Sequence, residues 1–146
     1  MHHTGLAILH HLLVFGLAVM LAMELAYLRT SPVPVRRLAG LDAGYGATAV
    51  LVLAVGVARV VWGDKGWIFY QANPFFWAKI ATFTAIGLLS IAPTVAFIRW
   101  SREAKRNRDF QPGPAEIKRT AAFVRLEVLL LFPLVAFAAA MARWTG

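Results

Sequence analysis

The stretch GLAILHHLLVFGLAVMLAMELAYL, residues 5–28, decides the fold. It is longer than the roughly 20 apolar residues that carry a helix across a bilayer. The charged or imidazole side chains within it are His10, His11 and Glu24. Its amino end, MHHTGLAILHH, has no lysine or arginine, and the run outlasts the core of a secretory signal, so a retained helix is expected rather than a cleaved leader. Three further stretches of similar length follow at about 43–62, 74–98 and 122–142. Together the four occupy most of the 146 residues and leave no room for a separate soluble domain. The chain is 60% hydrophobic and only 15% charged, against roughly 25% charged in an ordinary soluble domain. The expectation is all-α: an integral membrane four-helix bundle, with residues 1–146 as one domain.

A net charge of +8 would suggest nucleic acid in a soluble protein, but the positions of the charges point elsewhere. Arg29, Arg36 and Arg37 lie between the first and second stretches, and Arg99, Arg102, Lys105, Arg106, Arg108, Lys118 and Arg119 between the third and fourth. The connection GDKGWIFYQAN balances Asp64 against Lys65. The positive-inside rule puts the two basic loops in the cytoplasm and both termini on the periplasmic side of a bacterial inner (plasma) membrane. Topology accounts for the basicity without nucleic acid, and membrane lipids, including anionic ones, are the expected partners of the loops. Absence of cysteine excludes disulfides, thiolate metal sites and cysteine-bound iron–sulfur clusters.

Proline and capping residues mark the helix ends. Pro32 and Pro34 in LRTSPVPVRR end the first helix, and Asp42 is placed to cap the second. The run AGYGATA that follows allows close approach of a neighbouring helix. Asn73 supplies an N-cap oxygen and Pro74 a preset first-turn dihedral for the third helix, which carries Pro93 as a possible kink. The segment RWSREAKRNRDFQPGP reads as a polar loop, mobile at QPGP, and Pro114 with Glu116 suits an early start of the fourth helix. Seven aromatics, Trp62, Trp67, Phe69, Tyr70, Phe75, Phe76 and Trp77, crowd the outer connection, as an interfacial belt or as a lid over a flat ligand.

Alternating topology sorts the polar side chains into two depths. His10, His11, Arg59 and Lys79 belong near the outer face; Glu24, Asp42, Tyr45, Arg125 and Glu127 near the inner one. Such groups are expensive within a membrane unless they pair, snorkel or reach water, and so mark sites. His10 and Glu24, 14 residues apart, differ by only about 40° around a helix, whereas His11 lies about 100° from His10. Tyr45 and Arg59 repeat the spacing of 14 on the second helix. The inner group is expected to be a structural polar cluster in which Glu24 and Glu127 pair with Arg125 or with loop arginines. A proton relay through Glu24 and Tyr45 is the alternative. In the outer group a neutral imidazole at His10 suits haem iron or another metal, beside two cations able to hold an anion. The reading that competes with this one leaves Lys79 and Arg59 snorkelling to headgroups. His2 and His3 after Met1 offer a minor amino-terminal copper motif. A glycine-rich phosphate loop, HExxH and a serine nucleophile elbow are all missing, so no complete catalytic set identifies an enzyme.

The segments LHHLLVFGLAVMLAMEL, GVARVVWGDKGWIFYQANPFFWAKI and GLLSIAPT resemble a bacterial membrane family known as domain of unknown function 2214 over nearly the whole chain. More distantly, a histidine near the start of the first helix with Trp-x-Lys at the start of the third looks like the membrane-bound oxidase of protoporphyrinogen and like the copper-resistance D membrane domain. The first helix departs from that oxidase by carrying AMELAYLR in place of its tryptophan and proline-arginine features. The resemblance implies a b-type haem or porphyrin at His10 and Lys79, in a redox or haem-handling role, to which the shared depth adds Arg59 as anion partner. The alternative expectation is a non-catalytic accessory subunit, or homo-oligomer, packing in a larger respiratory or photosynthetic complex through small residues such as Ala18, Ala22 and Ala26.

Overall fold

In lipid no water satisfies the backbone, so an apolar chain of this length meets its hydrogen bonds within helices. The computed structural model describes residues 2–63 and 65–145, and side chains from Thr4 onward. It contains α1 (His2–Leu28), α2 (Val35–Trp62), α3 (Gly66–Ala72), α4 (Pro74–Arg106) and α5 (Pro114–Arg143). All but α3 are long and apolar enough to cross a membrane. The expected charge balance at Asp64 and the copper motif of His2 and His3 lie outside the described residues and side chains.

The four long helices close into a ring: α1 packs on α2 and α5, and α4 packs on α2 and α5. The diagonal pairs are therefore α1 with α4 and α2 with α5. The centre is filled by Leu17 and Leu21 of α1, Leu38 of α2, Phe97 and Trp100 of α4 and Val124 of α5. The outward faces, such as Leu12, Phe15, Val50, Leu88 and Phe132, are apolar and exposed, as a lipid environment requires.

Three helices begin or end well outside their apolar cores, α5 among them with its early start at Pro114. α2 starts at Val35, so Asp42 lies inside the helix rather than capping it. The reason is amphipathic: Val35, Leu38, Asp42 and Tyr45 recur every three or four residues and are all buried. α4 runs on to Arg106 because Trp100 and Ala104 keep one face of WSREAKR in the interior. It passes through the buried Pro93 as one helix.

One end of the bundle carries the start of α1, the end of α5 and α3; the other carries the α1–α2 and α4–α5 connections. Asn73 organises the first. Its side chain accepts from the Phe75 amide at 3.0 Å, the expected cap, and also donates through Nδ2 to the Met141 carbonyl at 3.0 Å. The α3–α4 corner is thereby tied to the last turns of α5. Gly66, at φ +73, supplies the left-handed turn that starts α3. At the opposite end Gln111 acts as a staple: its Oε1 accepts from the Val33 amide at 2.7 Å and its Nε2 donates to the Val33 carbonyl at 3.2 Å. The segment expected to be mobile at QPGP is instead pinned, with Pro112 buried beside the staple.

Asn73→Ala removes a helix cap and an interhelical bond from a fully buried position. It should cost about 1–3 kcal/mol, read as a lower midpoint of thermal unfolding in detergent. Gln111→Ala should cost about 1 kcal/mol and speed proteolysis at residues 107–113, since it frees the α4–α5 connection from α1–α2.

Candidate functional site

At the terminus end, α1, α2 and α4 leave a half-open groove of about 290 Å³ beneath α3. Its walls are largely apolar, with Val52 and Val57 of α2 and Phe83 of α4 among them. Three polar side chains enter it: His10 from α1, Arg59 from α2 and Lys79 from α4. These are the outer residues singled out by depth and phase, and the fold brings all three to one cavity. His10 is 6% exposed, and its Nδ1 is buried without a hydrogen-bond partner. His11 is turned away, exposed, with Nδ1 on the Ala7 carbonyl at 2.7 Å. Arg59 and Lys79 are half-buried.

The aromatics divide between belt and lid. Trp67 and Tyr70 of α3 and Phe76 of α4 line the groove, with Tyr70 and Phe76 5.5 Å and Trp67 and Phe76 6.2 Å between ring centroids. Trp62, at 70% exposed, faces outward. Lys65 stands 4.7 Å above the Phe69 ring and donates to the Ala142 carbonyl at 3.2 Å, holding α3 against the end of α5. Gly56 adjoins the imidazole: a Cβ there would stand 3.7 Å from His10 Cε1, in ordinary van der Waals contact. Sequence reasoning did not single out Gly56; its signal was its place one turn before Arg59 on the same helix.

The inner group is arranged differently from expectation. Glu24 and Glu127 are 1% exposed and Asp42 6%, yet no cation pairs with any of them among the described residues. Arg125 is exposed, because two residues along a helix is a rotation of about 200° away from Glu127. Arg29, Arg36 and Arg37 are also exposed. Among the described residues an ion pair joins Arg99 of α4 to Glu116 of α5. In place of cations, hydroxyls serve the carboxyls: Tyr45 Oη donates to Glu127 Oε1 at 3.3 Å, and Thr94 Oγ1 to Asp42 Oδ2 at 2.7 Å. Glu24 meets Asp42 side chain to side chain. Glu24 Oε1 and Glu127 Oε2 keep no partner. Thr94 carries no signal of this role in the sequence, since a threonine one residue after Pro93 equally suits a bond to its own helix. Trp100, fully buried with its Nε1 lacking an acceptor, was overlooked.

The Tyr45–Glu127 bond crosses the α2–α5 diagonal, and the Thr94–Asp42 bond joins α2 to α4. Tyr45→Phe and Thr94→Val each leave a buried carboxyl oxygen without its donor and should cost about 1–3 kcal/mol. Thermal unfolding of the two single variants checks this. Arg125→Gln should leave the midpoint unchanged.

No group of three or more histidine, aspartate or glutamate side chains among the described residues is placed to hold a metal ion. The chemistry on offer at the groove is thus that of a single imidazole and two cations in an apolar cleft, suited to an amphipathic anion. No curated protein and no solved structure matches the chain. The family model described as "Predicted membrane protein (DUF2214)" matches residues 2–146, and the chain belongs to that family of membrane proteins.

Proposed function

We propose that the groove under α3 binds a b-type haem or porphyrin at the periplasmic side of a bacterial inner membrane. The observation that carries this reading is the buried imidazole of His10, unpartnered at Nδ1, at an apolar cleft that also receives Lys79 and Arg59. The donor set fits the group. A single imidazole suffices as an axial ligand, two cations suit the two propionates, and aliphatic and aromatic walls suit the macrocycle. The cleft, at about 290 Å³, lies just below the roughly 300–1,000 Å³ of small-molecule pockets, so part of the ring would extend through its open side. His10 would ligate, Arg59 would hold a propionate, and Lys79 would serve as second ligand or propionate partner. Bound haem supplies one-electron redox chemistry. The chain's own residues bind it, orient it through the cations and exclude water with Trp67, Tyr70 and Phe76.

A second reading, an accessory subunit of a larger membrane complex, is favoured by the exposed Ala22 and Ala26 on α1, where another helix can approach closely. Gentle solubilisation followed by native electrophoresis separates it: migration only as a small free oligomer counts against it.

The first reading predicts near one haem b per chain after expression with haem supplied, seen in oxidised and dithionite-reduced spectra and counted as the pyridine haemochrome. His10→Ala should abolish the bound haem. Lys79→Ala should shift the spectrum or weaken retention about tenfold or more, the scale of losing a charged hydrogen bond. Gly56→Phe should exclude haem by filling the groove while keeping all three polar groups. Unchanged haem content in both His10→Ala and Lys79→Ala would refute the assignment.

A further inference from the structure

A second cleft, of about 270 Å³, lies near the basic-loop end between α4 and α5. One wall is apolar, formed by Val95 and Ala96 of α4 and Phe123 of α5. Val95 is 56% exposed, on the side that meets acyl chains in a membrane-spanning helix. The rim is charged: Arg99 comes from α4, and Glu116 and Arg119 from α5. Arg99 and Glu116 are paired, which holds the Arg99 guanidinium at the cleft. Arg119 is exposed and forms no ion pair among the described residues. Two arginines against one glutamate leave the rim one positive charge in excess.

Depth decides what this combination suits. Arg99 lies seven residues before the end of α4 and Arg119 five residues after the start of α5, so each is about 7–11 Å along its helix from the loop. That is the boundary between headgroups and hydrocarbon when the long helices span the bilayer. A small soluble anion would satisfy the arginines but leave the apolar wall unfilled. A zwitterionic lipid would fill the wall but bring its own cation to a rim already in positive excess. A lipid with a net negative phosphodiester meets both: its unbridged oxygens match guanidinium forks, and its chain follows the helix groove. Basic pockets between membrane helices recognise anionic headgroups on the same principle.

We propose that the α4–α5 cleft is a binding site for one anionic phospholipid, its phosphate held by Arg99 and Arg119 and an acyl chain lying along Val95, Ala96 and Phe123. The site is separate from the groove under α3 and stands whatever that groove binds.

The test uses the purified full chain in dodecyl maltoside, titrated with dioleoyl phosphatidylglycerol or dioleoyl phosphatidylcholine, with bound lipid counted by native mass spectrometry. One phosphatidylglycerol should be retained in preference to phosphatidylcholine. Arg119→Gln, at an exposed position that does not hold the fold, should weaken it about fivefold, and Arg99→Gln with Arg119→Gln about 25-fold, from the roughly 1 kcal/mol that each basic residue near an anionic lipid contributes. Glu116→Gln should tighten binding by unmasking Arg99. Arg36→Gln with Arg37→Gln, in the first turn of α2, should leave it unchanged. Equal retention of the two lipids, or an unaffected Arg119→Gln, overturns the proposal. So does equal weakening by the Arg36/Arg37 pair, which would mean diffuse attraction to the loops. Displacement of the lipid by millimolar inorganic phosphate would make the rim an anion site without a lipid and also overturns it.

Discussion

Three carboxyl groups, Glu24, Asp42 and Glu127, meet inside the bundle with no cation against them among the described residues. Burying a charge without a partner costs more than any single hydrogen bond returns, so the surrounding structure is constrained to supply donors. It does so from two other side chains, Tyr45 and Thr94. Because these five residues come from α1, α2, α4 and α5, the cluster ties together every long helix, including the α2–α5 diagonal that has no backbone contact. In a membrane, where lipid tails are as apolar as leucine, such polar contacts and close packing hold helices together in place of the hydrophobic effect.

The rest of the molecule divides around that centre. Toward the termini the helices part, and α3 with its aromatic rings roofs the space between α1, α2 and α4. Asn73 and Lys65 keep the roof in register by bonding to the Met141 and Ala142 carbonyls of α5. Toward the basic loops, Gln111 closes the bundle by mimicking a strand pairing with Val33. One end thus presents a half-open cleft with a buried imidazole, and the other presents arginines at the depth of headgroups. The two clefts share no lining residue. Each combines apolar walls with cationic groups, and they differ in the burial of their polar side chains: the imidazole of His10 is buried, while Arg99 and Arg119 remain exposed.

Much of this was legible in the chain. Hydropathy identified four membrane helices because length and apolarity alone decide whether a segment can span. Helical phase separated His10 from His11, and Asn73-Pro74 marked a helix start that the Phe75 amide bond bears out. What was misread has a common origin. Asp42 looked like a cap, QPGP like a mobile loop and Arg125 like a counter-ion because each was judged from its neighbours in sequence. Burial of Asp42 follows from Thr94, 52 residues away, and the order of the QPGP segment follows from Val33, 78 residues from Gln111.

By itself, then, the sequence determined that the chain is helical, that it lies in a membrane, how many times it can cross, and which polar residues share a depth. These are properties of hydrophobic length and of rotation per residue, and each is local to one segment. Only the tertiary structure decided which helices are neighbours. It gave the carboxyls hydroxyl partners rather than arginines, and it gathered His10, Arg59 and Lys79 around one groove. Partner choice inside a bundle depends on how each helix is rotated against the others, and that rotation is set by the packing of all four together.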